Sequence, residues 1–286
     1  MSIKYLEPDS LTQAVDLLAL HGDEAKVIAG GTSVVLMLRQ KLISPAVLVS
    51  LGRIPDQDLI HYDLNGLHLG ALARLHDLER SETMRQVCPA LAKAFRVVGN
   101  VRVRNQATVG GNLAAADYAA DPPAMLMALN ARVVTIGLAG RREIPLSEFF
   151  LGFYTTALEP AEIITEIIIP LLSEPRRAAY YKYTSISAEG RPCVAVGAAA
   201  HIDSDGKCRD LRVAVGAAVE TPQRLSETEG LARGQILTDE LIAAIADGYA
   251  RGLDPLTDVR GSAWYRREMI RLFVKRALLE VRDGDR

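Results

Sequence analysis

Two pairs of adjacent glycines are the residues of this chain best suited to bind an anion. The first pair lies in Ala29-Gly30-Gly31-Thr32-Ser33 and the second in Thr108-Val109-Gly110-Gly111-Asn112. Adjacent glycines let the backbone approach a bulky anion closely, and successive N–H groups in a tight turn can hold phosphate oxygens. Neither pair matches the G-x-G-x-x-G dinucleotide pattern or a P-loop. The sequence therefore predicts two phosphate-sized turns of another kind.

Polar side chains close to the second pair could recognise other parts of a ligand. Thr108 and Asn112 can add hydrogen bonds at the turn itself. Asp121 precedes two prolines and an apolar run over residues 124–129, which indicates the start of a helix. A carboxylate in that position is well placed to accept hydrogen bonds from sugar hydroxyls.

The elements around the first pair form a compact βαβ-like unit. An apolar Val27-Ile28 precedes the pair and an apolar run over residues 34–38 follows it, which indicates strand, turn and helix. The full pattern predicts helices at residues 10–20 and 32–40 and strands at 26–29 and 47–49.

The second pair lies in a stretch of different character that begins near Asp56. Apolar segments flank Asn65-Gly66, which is a strong β-hairpin signal. The sequence leaves two alternatives open for Arg102 and Arg104. They lie on a solvated strand face, or they support a diphosphate site. The remaining pattern predicts helices at residues 89–98 and 124–129 and strands at 132–136 and 163–169.

The last third of the chain reads as an α+β domain. It carries strands at residues 180–186, 194–202 and 211–215, followed by helices at 241–249 and 263–281. We expect a three-stranded antiparallel sheet covered by helices. Trp264 is expected in a core or boundary position rather than at an interface.

Bulk properties exclude several classes of protein. The 286 residues carry 33 basic and 35 acidic side chains, so nothing favours a nucleic acid or an anionic membrane as partner. No apolar run reaches membrane-spanning length and no signal peptide is visible, so a cytoplasmic location is expected. Cys88, Cys193 and Cys208 are too few and too dispersed for an iron–sulfur or zinc site, and we expect them to be core or bystander thiols.

The two glycine motifs together resemble those of one family, the FAD-binding medium subunits of molybdenum hydroxylases. This family includes aerobic carbon monoxide dehydrogenase and bacterial xanthine dehydrogenase. Residues 29–33 resemble its first flavin motif, and residues 104–112 with Asp121-Pro122 resemble its second, about 80 residues later. The resemblance continues through residues 180–182 and 258–277.

The resemblance implies a fold and a division into domains. Residues 1–172 would form a PCMH-type (vanillyl-alcohol-oxidase-like) FAD-binding domain with subdomains at about 1–55 and 56–172. Residues 173–286 would form the C-terminal domain of the flavin subunit. FAD would lie between the two halves, bound without a covalent link because no histidine or cysteine lies within the motifs.

The resemblance also implies roles for individual residues. Ile163 and Ile164 match an apolar pair near the adenine, and Lys182 matches a lysine near the isoalloxazine, although the residue alone favours a surface lysine on an exposed strand. The residues expected to contact phosphate and ribityl groups are Ala29, Gly30, Gly31, Thr32, Ser33, Thr108, Gly110, Gly111, Asn112, Asp117 and Asp121. No catalytic acid or base and no metal ligand is expected in this chain.

Two departures from the family pattern bear on these expectations. Ala116 and Tyr118 stand where many relatives have serine, proline or another small residue, which could change the packing around Asp117. The loop at residues 187–192 is variable in the family and often controls access to the flavin. The identity of the electron acceptor therefore stays open.

The function implied by the resemblance is electron transfer. The chain would take electrons from [2Fe-2S] clusters of a small subunit and pass them to an external acceptor, while a large molybdopterin-containing subunit oxidises the substrate. The assembly would be a dimer of heterotrimers. Two alternatives remain at this point: a stand-alone flavin-dependent oxidase or reductase of the same fold type, and a non-enzymatic interaction subunit whose glycine turns are only turns.

Overall fold

The N-terminal segment forms a small parallel sheet, as the βαβ pattern predicted. The computed structural model describes residues 3–170, 177–187 and 189–284. Strands β1 (Lys4–Leu6), β2 (Ala25–Ile28) and β3 (Val47–Ser50) pair in the order β1-β3-β2. Helices α1 (Leu11–His21) and α2 (Val34–Arg39) connect them. Apolar side chains of α1 pack on β3 and form the core of this unit.

The central segment is built on an antiparallel five-stranded sheet. Its order is β4-β5-β10-β6-β7. The strands are β4 (Ile60–Asp63), β5 (Gly66–Gly70), β6 (Arg132–Gly137), β7 (Gly140–Pro145) and β10 (Ile163–Pro170), with a small ribbon of β8 (Phe150–Gly152) and β9 (Thr155–Thr156). The helices of this segment are α3 (Leu75–Arg80), α4 (Glu82–Val87), α5 (Pro89–Arg96), α6 (Val101–Arg104), α7 (Val109–Ala115), α8 (Pro122–Ala128) and α9 (Leu146–Phe149).

The C-terminal segment contains the three predicted antiparallel strands, and a two-residue strand extends the sheet to four. The strands are β11 (Arg177–Tyr183), β12 (Val194–Ile202), β13 (Cys208–Gly216) and β14 (Gln223–Arg224). The helices are α10 (Ser226–Gly230), α11 (Asp239–Gly252) and α12 (Ala263–Asp283). Helices α11 and α12 cover one face of this sheet and bury a continuous apolar core.

The central and C-terminal segments share a core through α8, which packs on β12 and β13. The contact is close because Gly197 has no side chain. A Cβ at Gly197 would lie 2.7 Å from the carbonyl oxygen of Ala124 and from the Cα of Met125. The start of α8, where Asp121 lies, is therefore fixed against the C-terminal sheet.

Several expectations from the sequence differ from the structure. Arg102 and Arg104 belong to the short helix α6 rather than to a strand, because Asn100 caps the turn by accepting from the N–H of Val103 at 3.1 Å. Trp264 is 68% exposed, so the expected core or boundary position is wrong. The proposed boundary at residues 172–173 lies outside the described residues.

Three other expectations concern the cysteines, the membrane and the loop at residues 187–192. Cys88, Cys193 and Cys208 are buried, which agrees with core thiols, and none forms a disulfide in the described part of the chain. No helix in the described part of the chain is both long and apolar enough to cross a bilayer. One residue of the loop, at position 188, lies outside the described residues.

Candidate cofactor site

The first glycine pair forms a turn between a strand and a helix, as predicted. β2 ends at Ile28 and α2 begins at Val34, so residues 29–33 connect them. Gly31 has a φ of +72°, a left-handed conformation that favours glycine. Its carbonyl accepts from the N–H of Val35 at 2.9 Å, which holds the turn against the helix.

The N–H groups of this turn are available to a ligand. Within the described residues, no backbone carbonyl accepts a hydrogen bond from the N–H groups of residues 30–33. N–H groups that converge in a turn, without acceptors of their own, are the donor set that a phosphate needs. The first motif therefore supplies the free donors of the site.

The second glycine pair lies in a helix, so the tight turn predicted there is wrong. Thr108 caps α7, and its Oγ1 accepts from the N–H of Gly111 at 3.2 Å. The N–H of Gly110 donates to the carbonyl of Ala71 at 2.8 Å, and that of Asn112 donates to the carbonyl of Thr108 at 2.9 Å. Because these amides already have protein partners, the second motif offers side chains rather than backbone donors.

Gly110 is needed for packing. A Cβ at this position would lie 2.7 Å from the Cβ of Ala71 and 2.8 Å from its carbonyl oxygen. No real side chain tolerates such a contact with backbone, so α7 can approach the segment after β5 only through glycine. The sequence could not show this, because the partner is almost 40 positions away.

The two motifs touch each other. A Cβ at Gly30 would lie 1.8 Å from the carbonyl oxygen of Gln106, and a Cβ at Gly111 would lie 3.9 Å from the Cβ of Ala29. Beside this contact is a cavity of about 350 Å³ that residues of both motifs line, among them Gly30 and Thr108. The structure therefore brings the two predicted motifs into one site.

The cavity also includes residues that sequence reasoning missed. Arg53, Asp56 and Arg74 line it together with Ile54. Asp56 has a φ of +61°, which is uncommon outside glycine. The change in sequence character near Asp56 is the only indication of this loop, and it indicates a subdomain boundary rather than part of a binding site.

The side chain of Asn112 has an unmet hydrogen-bonding need. Its Oδ1 is buried from solvent and accepts no hydrogen bond from the described residues. Buried polar atoms normally have partners, so an orphan atom in the second motif indicates a ligand group. This atom and the free amides of residues 30–33 fit a polar, phosphate-containing cofactor such as FAD.

Asp121 lies at the start of α8 as predicted, but its carboxylate is occupied. Its Oδ2 accepts from Nζ of Lys182 at 3.0 Å and its Oδ1 accepts from the hydroxyl of Tyr180 at 3.0 Å. Burial raises the pKa of Asp121 to about 6, although Lys182 and Tyr180 oppose the shift. Both oxygens therefore act within the protein, and a contact with sugar hydroxyls would compete with these partners.

Lys182 is not a surface lysine on an exposed strand. Its side chain is only 6% exposed, and its Nζ also donates to the carbonyl of Val97 at 2.7 Å. An ammonium group this deep in the protein requires charge compensation. In this structure Asp121 provides it, which links the C-terminal sheet to the start of α8.

Asp117 and Tyr118 belong to a polar network that reaches the C-terminal segment. Oδ2 of Asp117 pairs with Arg191 at 2.8 Å, and the hydroxyl of Tyr118 donates to Asp258 at 2.9 Å and accepts from Arg260. Tyr118, which departs from the family pattern, thus contacts Asp258 and Arg260 of the C-terminal segment.

Asp258 is the anionic centre of that network. Burial opposes its ionisation, but hydrogen bonds from the Arg260 N–H, Tyr118 and Arg266 lower the pKa of Asp258 to about 2. The guanidinium of Arg266 is itself buried and also donates to the carbonyl of Cys193 at 2.7 Å. The network therefore stays ionised at neutral pH and fixes the loop before α12.

Ile163 and Ile164 lie in β10 with exposures of 2% and 6%. Ile163 belongs to the same apolar cluster as Ile54, which lines the cavity. Ile164 belongs instead to the cluster that the central and C-terminal segments share. The two side chains therefore pack into different cores, and neither lines the cavity.

Comparison with known proteins agrees with this site. A family model for the FAD binding domain in molybdopterin dehydrogenase matches residues 1–172, and one for the CO dehydrogenase flavoprotein C-terminal domain matches residues 179–281. The chain is 37% identical to the 6-hydroxypseudooxynicotine dehydrogenase complex subunit alpha of Paenarthrobacter nicotinovorans, over 98% of this chain and 94% of that one.

Two further relatives extend the comparison. The glyceraldehyde dehydrogenase medium chain of Sulfolobus acidocaldarius is 32% identical, with 97% of each chain covered. A solved structure of carbon monoxide dehydrogenase from Hydrogenophaga pseudoflava, which lacks the Mo-pyranopterin moiety of the molybdenum cofactor, matches with a TM-score of 0.94 at 32% identity, covering 98% of this chain and 97% of that one. The chain therefore belongs to the family of FAD-binding subunits of the molybdenum hydroxylases, is a subunit of an oxidoreductase and has the PCMH-type FAD-binding fold with its C-terminal domain.

Proposed function

We propose that this chain is the electron-exit subunit of a molybdenum hydroxylase. It takes electrons from [2Fe-2S] clusters of a small subunit and passes them to an external acceptor. The observation that carries the proposal is that relatives named for a pseudooxynicotine and a glyceraldehyde dehydrogenase match this chain over nearly its whole length. A chain shared by enzymes of such different substrates performs the step that they share.

The chain cannot hold an iron–sulfur cluster of its own. It has three cysteines in all, whereas a [2Fe-2S] cluster normally takes four thiolates. Bound FAD would supply the ability to exchange electrons singly with a cluster and to release them in pairs. The clusters and the molybdopterin are therefore assigned to partner subunits.

The residues that would hold FAD are divided between two roles. Gly30, Gly31, Thr32 and Ser33 offer free backbone donors to the pyrophosphate, next to Ala29. Thr108, Gly110 and Gly111 build the wall behind them, and Asn112 adds an amide side chain. Ile163 and Ile164 would contribute apolar packing behind the adenine end of the site. Asp117, Asp121 and Lys182 would support the FAD site without a direct charge–charge contact to the cofactor, because their charges are paired within the protein.

The wider assembly is also a proposal. We infer a small iron–sulfur subunit and a large molybdenum subunit as partners, in a dimer of heterotrimers. We propose a division of this chain at residues 172–173, with subdomains meeting near residues 55–56. A cytoplasmic location stays a prediction from the sequence.

The proposal is tested by separating the chain from its partners. The isolated FAD-loaded chain, once reduced by dithionite, should reduce a dye but should not oxidise N-heterocycles, aldehydes or carbon monoxide. Substrate-dependent dye reduction should appear only on reconstitution with both partner subunits. Turnover by the isolated chain at a rate comparable to the complex would instead support a stand-alone flavoenzyme. Failure to bind FAD at all would support a non-enzymatic subunit.

A further inference from the structure

Two histidines and a carboxylate that are dispersed in the sequence meet on the five-stranded sheet. His61 on β4 is the direct cross-strand neighbour of His68 on β5, and Glu166 lies on β10, the next strand. One donor atom from each of the three lies within 4.8 Å of the others. No metal ligand could be expected from the sequence, because the five histidines are scattered along the chain.

His68 lies between two carboxylates. Its Nδ1 is 2.7 Å from Oε1 of Glu166, and its Nε2 is 3.1 Å from Oδ1 of Asp63. Its side chain is 9% exposed, so water cannot readily replace either partner. A neutral imidazole has a single N–H, and one of the two contacts would then bring two lone pairs together. A second proton, or a metal ion bound beside the pair, would remove this repulsion.

Asp63 is placed to accept the ring proton of His68. Its Oδ1 accepts from the backbone N–H of Asn65 at 2.7 Å and lies 3.1 Å from Nε2 of His68. When Nε2 carries the ring proton, the Nδ1 lone pair is directed to Glu166. A carboxylate behind a metal-binding histidine orients its ring in this way.

His61 supplies the third donor. Its ring stacks on that of His68 with centroids 4.5 Å apart and an interplanar angle of 10°. Donor atoms around a tetrahedral Zn²⁺ lie roughly 3.3 Å apart, given a Zn–N bond of about 2.0 Å. Because His61 is exposed, its ring can leave the stack and turn a lone pair toward the ion, and the 2.7 Å contact between His68 and Glu166 would have to open to admit the ion. A proton shared by His68 and Glu166 would involve only these two residues, whereas a metal ion also needs a further ligand such as His61.

We propose that His61, His68 and Glu166 bind a divalent ion of the zinc class, with water in the fourth position and Asp63 orienting His68. Two neutral imidazoles and two carboxylates would balance the charge of the ion. The ligands come from three adjacent strands, so the ion would fasten the β4–β5 hairpin, at the edge of the sheet, to β10. The site lies outside the cavity between the glycine motifs, since none of these residues lines that cavity.

The test uses the full-length FAD-loaded chain, freed of any affinity tag and of metal. Calorimetric titration with ZnCl₂ should show one ion per chain, and Co²⁺ should give the visible absorption of a tetrahedral site. His61→Ala, an exposed change that leaves the fold intact, should weaken Zn²⁺ binding at least tenfold. Zn²⁺ should raise the Tm of the parent but not that of His61→Ala.

The matched control is His76→Ala. His76 also pairs with a carboxylate, with Nδ1 2.8 Å from Oε1 of Glu79, but it belongs to no group of three possible ligands among the described residues. This variant should bind Zn²⁺ within twofold of the parent. The proposal is overturned if the parent binds no stoichiometric Zn²⁺, or if His61→Ala binds it as tightly as the parent.

Discussion

Replacing Asp121 by alanine should destabilise the fold more than it weakens cofactor binding. The carboxylate and the ammonium of Lys182 have side-chain exposures of 4% and 6% and lie 3.0 Å apart. Removing one partner of a buried ion pair leaves the other charge uncompensated, which costs about 3–5 kcal/mol. We expect the lower end, because Lys182 keeps the carbonyl of Val97 and Tyr180 keeps the backbone carbonyl of residue 121.

The assay is urea unfolding followed by far-UV circular dichroism, with FAD affinity measured separately by fluorescence. Asp117→Ala is the matched control, because its partner Arg191 is 51% exposed and a pair so open to solvent is worth about 1 kcal/mol or less. Asp121→Asn combined with Lys182→Met removes both charges and should recover part of the loss.

One result would refute this reasoning. If Asp121→Ala unfolded at the parent's urea midpoint and yet bound FAD at least tenfold more weakly, the carboxylate would act on the cofactor. The sequence-based expectation of a sugar contact would then be right, and the ion pair with Lys182 would have no structural weight.

Four further outcomes are expected. Gly30→Ala should abolish FAD binding and destabilise the chain, since its Cβ would meet the carbonyl oxygen of Gln106 at 1.8 Å; unchanged thermal unfolding would contradict this. Asn112→Ala should weaken FAD binding about tenfold without changing stability, whereas the exposed Asn105→Ala should change neither; equal affinities on titration would remove Asn112 from the site. Denaturing the holoprotein and filtering it should release all yellow colour, because FAD is held without a covalent bond; colour retained with the chain would disprove this. The pKa of Asp258 is lowered to about 2 in the folded protein, so this carboxylate contributes stability that is lost as the pH falls from about 4 to about 2. Asp258→Asn should therefore reduce the loss of unfolding free energy at acid pH. An unchanged acid dependence would show that this carboxylate is not paired.

The sequence was most informative where the structure depends on local chemistry. The turn at Gly30-Gly31 follows from an apolar strand before it and an apolar helix after it. The start of α8 at Asp121 follows from the two prolines. Both depend on residues within a few positions, so local patterns are sufficient to predict them.

The parts that the sequence could not predict depend on partners far along the chain. The pairing of Lys182 with Asp121 joins residues 61 positions apart. Gly110 is required by Ala71, and no pattern near Gly110 reveals that contact. Periodicity shows which face of an element is apolar, but it does not show which other element lies against that face.

The histidine pair shows how much depends on strand register. A hairpin with Asn65-Gly66 as its two-residue loop would place His61 opposite Gly70. In the structure Asp63 pairs with Gly66, so the loop lies one residue earlier and His61 faces His68. A shift of one residue in the turn thus moves the cross-strand partner by two positions. Turn chemistry predicted the hairpin but not this register.

The central proposal, that electrons leave the assembled enzyme through the FAD of this chain, is tested most directly by rapid mixing of a complex from which only FAD has been removed. We expect substrate to bleach the absorbance of the iron–sulfur clusters at the normal rate. Reduction of a two-electron acceptor should fall at least tenfold and should return when FAD is added. Acceptor reduction at an undiminished rate without FAD would contradict the proposal.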